Sequence, residues 1–247
     1  MRCLSESGGD MDRVVVYAGT KNIYDQMYVA LKSLLANNLI DRVYLLLETD
    51  TFSYFLPENV HIINVSNQDY FHVGSANFNS PWSYMAMMKC VLSDIFPKEQ
   101  KILWLDCDTI VNADISELFD LDMGEYLYVG AVEPKKSHWK FKYINTGVLL
   151  VNLKMLQMNR KEQEMVMYLN RYTFNFPDQD VINLLCQGKI LEIDSEWNNN
   201  AYTYRCTHPK IVHFAAMKNY RIHPVYRKYE SMFLTKGDVN NGRKADE

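Results

Sequence analysis

The sequence predicts an α/β fold with a mostly parallel central sheet flanked by helices. Three observations carry that expectation. Apolar, β-branched runs alternate with a helical stretch at the start of the chain, in the order β-α-β. One run, Lys101-Ile102-Leu103-Trp104-Leu105, is apolar with no alternation, as suits a strand buried on both faces. That run ends in Asp106-Cys107-Asp108, and open α/β sheets bind ligands just beyond the carboxyl ends of such strands.

Each element follows from local pattern. Residues 13–17, apolar and β-branched, form the first strand, and Ala18-Gly19-Thr20-Lys21-Asn22 a loop. Met27, Leu31, Leu34 and Leu35 then recur at helical spacing, with Asn22 placed to cap the helix and Asp25 in its first turn. Asn37-Asn38 ends it. Residues 43–47 and 60–65 are buried strands. Residues 67–81, polar and aromatic, form a loop long enough to be a lid or an acceptor loop. Residues 84–96 carry Met85, Met88, Leu92 and Ile95 on one helical face and stop before Pro97. After the Asp106 strand come a short helix at 115–118, strands at 126–132 and 144–152, and one helix over 154–171. A further helix spans 178–186, with Asp178 at its start and Gly188 as its stop. Residues 189–193 and 211–214 are the last strands.

Composition narrows the class. A chain of 247 residues with 48% hydrophobic content builds a sizeable core. The expected organisation is a polar leader over 1–12, a single domain over 13–230 and a flexible tail over 231–247. No apolar stretch approaches the roughly 20 residues that span a bilayer. Five cysteines with no CxxC spacing argue against a disulfide framework or a zinc site and for a reducing, cytoplasmic location. A net charge of −4 argues against nucleic acid as a partner. The charge is uneven, because Arg205, Lys210, Lys218, Arg221, Arg227 and Lys228 cluster late in the chain. That cluster reads as a solvated face, as Lys218 or Arg221 facing an anionic ligand, or as weak peripheral contact of residues 226–233 with an anionic membrane.

Asp106 and Asp108 supply two hard oxygen ligands, enough to begin a divalent cation site, although a bare Asp-x-Asp also suits a solvated turn. A calcium loop of EF-hand type is excluded: Ile110 and Val111 stand where an oxygen ligand and a glycine are required, and a strand precedes the motif where a helix should. Cys107 points to the other side of the chain and packs.

The motifs run in a defined order: Ala18-Gly19-Thr20 after the first strand, then Leu105-Asp106-Cys107-Asp108, Tyr143-Ile144-Asn145-Thr146-Gly147, Pro177-Asp178-Gln179-Asp180, Trp197-Asn198, and Ile211-Val212-His213-Phe214. In this order and spacing the chain resembles the retaining glycosyltransferases of family 8, which include glycogenin and bacterial lipooligosaccharide galactosyltransferases. The resemblance covers about Val14 to about Tyr220. It implies a GT-A fold, Rossmann-like, that takes a UDP-sugar donor with Mn²⁺ or Mg²⁺. By the resemblance, Asp106, Asp108 and His213 are the metal ligands, with Cys107 inside the donor-binding motif. His213 on spacing alone reads equally as a structural histidine. Ala18, Gly19 and Thr20 match the uridine cradle, and Tyr24 matches an aromatic near the uracil or packs at the helix start. Lys89 matches a basic residue on the donor sugar or diphosphate, or is a solvated helix lysine. Asn145 matches the asparagine that lines the sugar pocket, and Gly147 permits close backbone approach. Asp178, Gln179 and Asp180 match the catalytic segment beyond the sugar, with Asp178 also readable as a helix cap. By the same resemblance Glu133 and Asn198 match further pocket positions, and Trp197 reads as core.

The implied activity moves a hexose, glucose or galactose, with retention onto a glycan, lipid-linked or protein acceptor, in glycan or surface polysaccharide synthesis. One segment departs from the family pattern His-x-x-Gly-x-x-Lys-Pro-Trp. Here Ala216 replaces the glycine, Lys218 comes one residue early, and Pro-Trp is missing. Lys218 or Arg221 then takes the diphosphate role. Two other readings are a nucleotide-sugar binder without turnover and a glycogenin-like self-glucosylating primer. A sugar-1-phosphate nucleotidylyltransferase would carry a longer glycine-rich loop than Ala18-Gly19-Thr20-Lys21.

Overall fold

Strand β1 (Val14–Ala18) lies near the middle of a seven-stranded sheet, and its carboxyl end opens one wall of the site. The structure, a computed structural model, describes residues 12–133, 142–203 and 206–234. The expected leader, apart from Asp12, and the expected tail from 235 lie outside the described residues.

A 3-10 turn (Lys21–Ile23) follows β1 and leads into α1 (Tyr24–Asn37). Asn22 sits inside that turn, so it does not cap α1 as expected; Ile23 holds the cap position with no side-chain bond. Strands β2 (Arg42–Leu47) and β3 (Val60–Asn64) complete the first β-α-β unit. The next helix is broken. It comprises α2 (Ser83–Met87), a 3-10 turn (Met88–Cys90) and α3 (Leu92–Ile95), with Ser83 at φ +63° and Val91 at φ −137° and ψ 22°, outside helical geometry. The sequence pattern had suggested one continuous helix. Tertiary contacts override it: Lys89 is drawn inward, and the Glu162 carboxylate accepts the Ser93 N–H.

Strand β4 (Lys101–Leu105) is followed at once by β5 (Thr109–Val111), which was not foreseen, and by α4 (Ser116–Asp120). Strands β6 (Tyr128–Ala131) and β7 (Val148–Asn152) come next. The expected helix over 154–171 is two helices, α5 (Leu153–Asn159) and α6 (Lys161–Arg171), because Arg160 adopts φ +53° between them. Helix α7 (Pro177–Leu185) starts one residue before Asp178, with Phe176 at the cap position and Pro177 where a missing N–H costs nothing. Asp178 is therefore not the cap. Strands β8 (Ile190–Ile193), β9 (Asn199–Asn200) and β10 (Ile211–His213) and helix α8 (Pro224–Phe233) end the described chain.

The large sheet has the order β3-β2-β1-β4-β7-β6-β8. All neighbours are parallel except those of β7, which runs against β4 and β6. The chain reverses direction across the sheet between β1 and β4, the kind of switch point where a crevice forms. Alternation along the strands splits the core into two layers. Val14, Val16, Ile102, Trp104 and Val151 face α2, α3 and α5–α7. Val15, Tyr17, Leu103, Leu105 and Leu150 face α1 and α4.

A second sheet, β5-β10-β9, packs with α8 against α1 through Ile110, Val212, Phe214, Tyr226, Tyr229 and Val29. Tyr226 and Tyr229 of the basic C-terminal stretch thus turn inward, while Arg227 and Lys228 are exposed. The loop over 67–81 is pinned by buried Asn77, whose Nδ2 donates to the carbonyls of Leu169 and Tyr172 at 2.6 and 2.7 Å. No helix among the described residues is long and apolar enough to cross a membrane.

Candidate active site

The site begins where β4 hands over to β5. Asp106, Cys107 and Asp108 occupy the turn between them, held by Asp106 N–H donating to the Gly147 carbonyl at 2.8 Å and Thr109 N–H to the Asp106 carbonyl at 3.1 Å. Cys107 turns away from the carboxylates, is buried, and donates from Sγ to the Ala18 carbonyl at 3.2 Å. This contact ties the motif to the loop after β1. Strand β5 pairs antiparallel with β10 so that Thr109 lies opposite His213, and Phe214 N–H donates to the Asp108 carbonyl at 2.8 Å. A residue more than a hundred positions away is thereby delivered beside Asp108.

His213 Nε2 stands 3.1 Å from Asp108 Oδ1, and ligand atoms of Asp106, Asp108 and His213 all lie within 4.8 Å of one another. Burial alone would push the Asp108 carboxyl up and the His213 ring down. The mutual attraction of the pair overrides both, lowering the acid and raising the base. Gly147 makes room for the ring, since a Cβ there would meet His213 Cε1 at 2.0 Å.

Lys89 is fully buried and sits between two acids. Its Nζ lies 3.0 Å from Asp106 Oδ1 and 2.9 Å from Asp178 Oδ2, and donates to the Thr146 carbonyl at 3.1 Å. Burial would lower its pKa, but Asp106 and Asp178 hold it above the ordinary lysine value. The solvated-lysine reading is removed. Trp104 Nε1 also donates to Asp106 Oδ1, at 2.7 Å. With two donors on Oδ1, Oδ2 is the Asp106 oxygen left for a cation.

The strand-and-helix wall opposite is equally bonded. Thr146 Oγ1 donates to Asp178 Oδ2 at 2.7 Å, and Thr146 N–H to Gln179 Oε1 at 3.2 Å. Asp180 accepts from the Tyr143 hydroxyl and from Phe176 N–H. Asn145 Nδ2 donates to Glu133 Oε2 at 2.8 Å, and Asn198 Nδ2 donates to Asn145 Oδ1 at 2.9 Å. The structure thus joins Lys89, Asp106, Asp108, Asn145, Asp178, Gln179, Asn198 and His213 in one bonded cluster, with Asp180 on its edge.

Other expected residues stand apart. Tyr24 is buried against Phe52, and its hydroxyl is 3.1 Å from Thr49 Oγ1. Gly19 N–H donates to the Leu46 carbonyl, and the Thr20 hydroxyl bonds to Asn22 Oδ1. Lys218 is exposed on the turn after β10. Thr146, Trp104 and Tyr143 were given no role from sequence, although each bonds a cluster acid. Their signal was their place inside or beside the motifs already marked.

Residues 14–221 match the model of the family described as Glycosyl transferase family 8. The chain belongs to that family. Among relatives, Glycosyltransferase GlyE of Streptococcus pneumoniae is 28% identical over 197 residues, covering 75% of this chain and 47% of its own length. The lipopolysaccharide 1,3-galactosyltransferase of Salmonella typhimurium is 26% identical over 137 residues, covering 47% of this chain and 40% of its own. This chain spans about half or less of the length of both. Among solved structures, the galactosyltransferase LgtC, in complex with donor and acceptor sugar analogs, shares 18% identity at a TM-score of 0.68, over 92% of this chain and 99% of that one. The structure of GlyE shares 22% identity at the same TM-score, over 94% and 62%. The chain has the GT-A fold of these neighbours. Its two carboxylates and one imidazole are a donor set that suits a divalent cation.

Proposed function

We propose that this family 8 glycosyltransferase transfers a hexose, glucose or galactose, from a UDP-sugar to an acceptor hydroxyl, with retention and with dependence on a divalent cation, Mn²⁺ or Mg²⁺. The observation that carries the reading is the contact between two charge clusters. Asp106, Asp108 and His213 cluster with the ligand chemistry of a cation site, and Lys89 bridges that cluster to Asp178 on the opposite wall. Asp106, Asp108 and His213 would hold the cation, which when bound neutralises the charge that develops on a departing diphosphate.

The chain's own residues have separable tasks. Lys89, itself fully buried, fixes the distance between the cation site and the Asp178 wall. Asp178 Oδ2 is engaged by Lys89 and Thr146, and Gln179 is a poor nucleophile. This bonding supports front-face attack of the acceptor, with Asp178, Gln179 and Asp180 stabilising positive charge on the sugar, over a covalent intermediate on any of them. Ala18, Gly19 and Thr20 lie at the carboxyl end of β1, at the switch point, and are positioned for the nucleoside end of the donor. Glycan, lipid-linked and protein acceptors all fit the reading, as does weak membrane contact through exposed Arg227 and Lys228. The single domain over 13–230 and a cytoplasmic location belong to the same proposal.

The test is UDP release with Mn²⁺ over a panel of UDP-sugars, comparing wild type with Asp106→Asn/Asp108→Asn. One donor hydrolysed slowly, and not by the double variant or with chelator, is the expected result. A second reading, a nucleotide-sugar binder without turnover, draws on exposed Lys218 and the altered segment around Ala216. Donor binding with no release from any sugar, even with acceptors added, would favour it.

A further inference from the structure

Three hydrogen bonds connect the acid after β6 to the imidazole at the end of β10. Asn145 Nδ2 donates to Glu133 Oε2 at 2.8 Å, Asn198 Nδ2 donates to Asn145 Oδ1 at 2.9 Å, and Asn198 Oδ1 faces His213 Nδ1 at 3.0 Å. All four residues are more than nine-tenths buried, so a mispaired group in this chain would have little water to turn to.

The direction of the chain is fixed at its origin. The Gly147 backbone N–H can only donate, and it donates to Asn145 Oδ1 at 2.9 Å. Turning the Asn145 amide over would set its NH₂ against that N–H and its oxygen against the Glu133 carboxylate. Asn145 Oδ1 must therefore receive the Asn198 NH₂, and that places Asn198 Oδ1 toward the ring. An amide oxygen there requires a proton on Nδ1. A neutral imidazole with its proton on Nδ1 carries its lone pair on Nε2, the nitrogen 3.1 Å from Asp108 Oδ1, a carboxylate that in the absence of a cation competes with Asn198 for the ring proton.

We infer that Glu133, Asn145 and Asn198 are positioning residues that set the tautomer of His213, so that Nε2 is presented as a ligand on the Asp108 side. The polarity of one backbone N–H is relayed through two amides to the third member of the cation site. The consequence for cation affinity rests on the cation reading of the site; the tautomer does not. Partners that orient a metal-binding histidine change metal affinity by about 10–100-fold.

Two readouts test the relay without turnover. The first is ¹⁵N-histidine NMR in an Asp108→Ala background, in alkaline buffer where the ring is neutral and no Asp108 carboxylate competes for Nε2, with the His213 signals identified by their loss in His213→Ala. Beside unchanged Asn198 the ring is expected to carry the proton on Nδ1. Asn198→Asp, which keeps the acceptor, should retain it, and Asn198→Leu should lose the preference. The second is Mn²⁺ titration followed by electron paramagnetic resonance. Asn198→Leu should weaken binding about 10–100-fold in the wild-type background and leave it within about twofold in the His213→Ala background. A merely structural role for Asn198 would weaken both backgrounds alike and overturn the inference. So would a ring protonated on Nε2 in the Asp108→Ala background beside unchanged Asn198, or an Asn198→Leu protein with unchanged tautomer. If Asn198→Leu does not fold, retention or loss of the Nδ1 proton in Asn198→Asp decides. A wild type that binds no Mn²⁺, beside an Asn198-dependent tautomer in the Asp108→Ala background, would sink the cation reading and leave the positioning role standing.

Discussion

Lys89 Nζ lies 2.9 Å from Asp178 Oδ2 on a side chain that is 1% exposed. A buried cation at that distance neutralises two walls of the site at once, because the same Nζ reaches Asp106 Oδ1 at 3.0 Å. Without it, Asp106 and Asp178 would face each other across the crevice with only hydrogen bonds to offset the repulsion.

Removing one partner of a buried ion pair costs more than the pair is worth, because the remaining charges stay desolvated. Lys89→Met should lower unfolding free energy by about 3–5 kcal/mol, measured by urea denaturation. Adding Asp178→Leu should recover part of that loss. Independent, additive effects of the two substitutions would mean that the pair is not coupled as its geometry implies.

Much of this arrangement was legible in the sequence, and the reason is local. The runs that became β1, β2, β3 and β4 are apolar in the chain itself, and Asp106-Cys107-Asp108 marks its own strand end. What was not legible depends on distant contacts. Thr109-Ile110-Val111 is too short to announce a strand, yet its pairing with β10 brings His213 to Asp108. The break at Met88–Cys90 leaves no glycine or proline in the sequence, and it follows from Lys89 reaching inward. Arg160 likewise holds a left-handed φ that its side chain does not advertise.

Glu162 supplies a pH-dependent prediction. Burial pushes its carboxyl from 4.5 to about 7, against the Ser93 N–H and hydroxyl bonds that pull it down. A carboxyl raised in the folded state favours folding while it is protonated. Its contribution is complete below about pH 4.5, falls through the interval, and is gone above about pH 7. The loss is roughly 3 kcal/mol, at about 1.4 kcal/mol per unit. Glu162→Gln should therefore flatten the dependence of stability on pH across this window. Parallel curves for variant and wild type would show that Glu162 does not titrate there.

Ala216 stands at φ +56°, in the left-handed region, where the family pattern has glycine. A Cβ in that region costs about 1 kcal/mol, part of which glycine returns as entropy of the unfolded chain. Ala216→Gly should raise stability by about 0.5 kcal/mol, seen as a small rise in melting temperature. Exposed Lys218 is two residues on, so donor affinity measured in the same variant reports whether this turn governs the lysine. A lower melting temperature would mean that the left-handed conformation is not the one the turn adopts.

Gly147 offers the sharpest separation of fold from site. A Cβ at this position would lie 2.0 Å from His213 Cε1 and 2.6 Å from Nδ1 and Nε2, closer than any real contact, so the ring must move. The backbone groups of Gly147 are already committed, its carbonyl to Asp106 N–H and its N–H to Asn145 Oδ1. The strand cannot shift to relieve the clash without breaking the turn that presents Asp106. Gly147→Ala should thus expel the imidazole from the cation site. The expected result is Mn²⁺ affinity reduced by at least about tenfold, with metal-dependent UDP release falling alongside it. Far-ultraviolet circular dichroism should be preserved, because the displaced group lies at the sheet's end and not within either core layer. Retention of wild-type Mn²⁺ affinity by a folded Gly147→Ala protein would show that His213 is not held where its contacts with Asp108 and Asn198 place it.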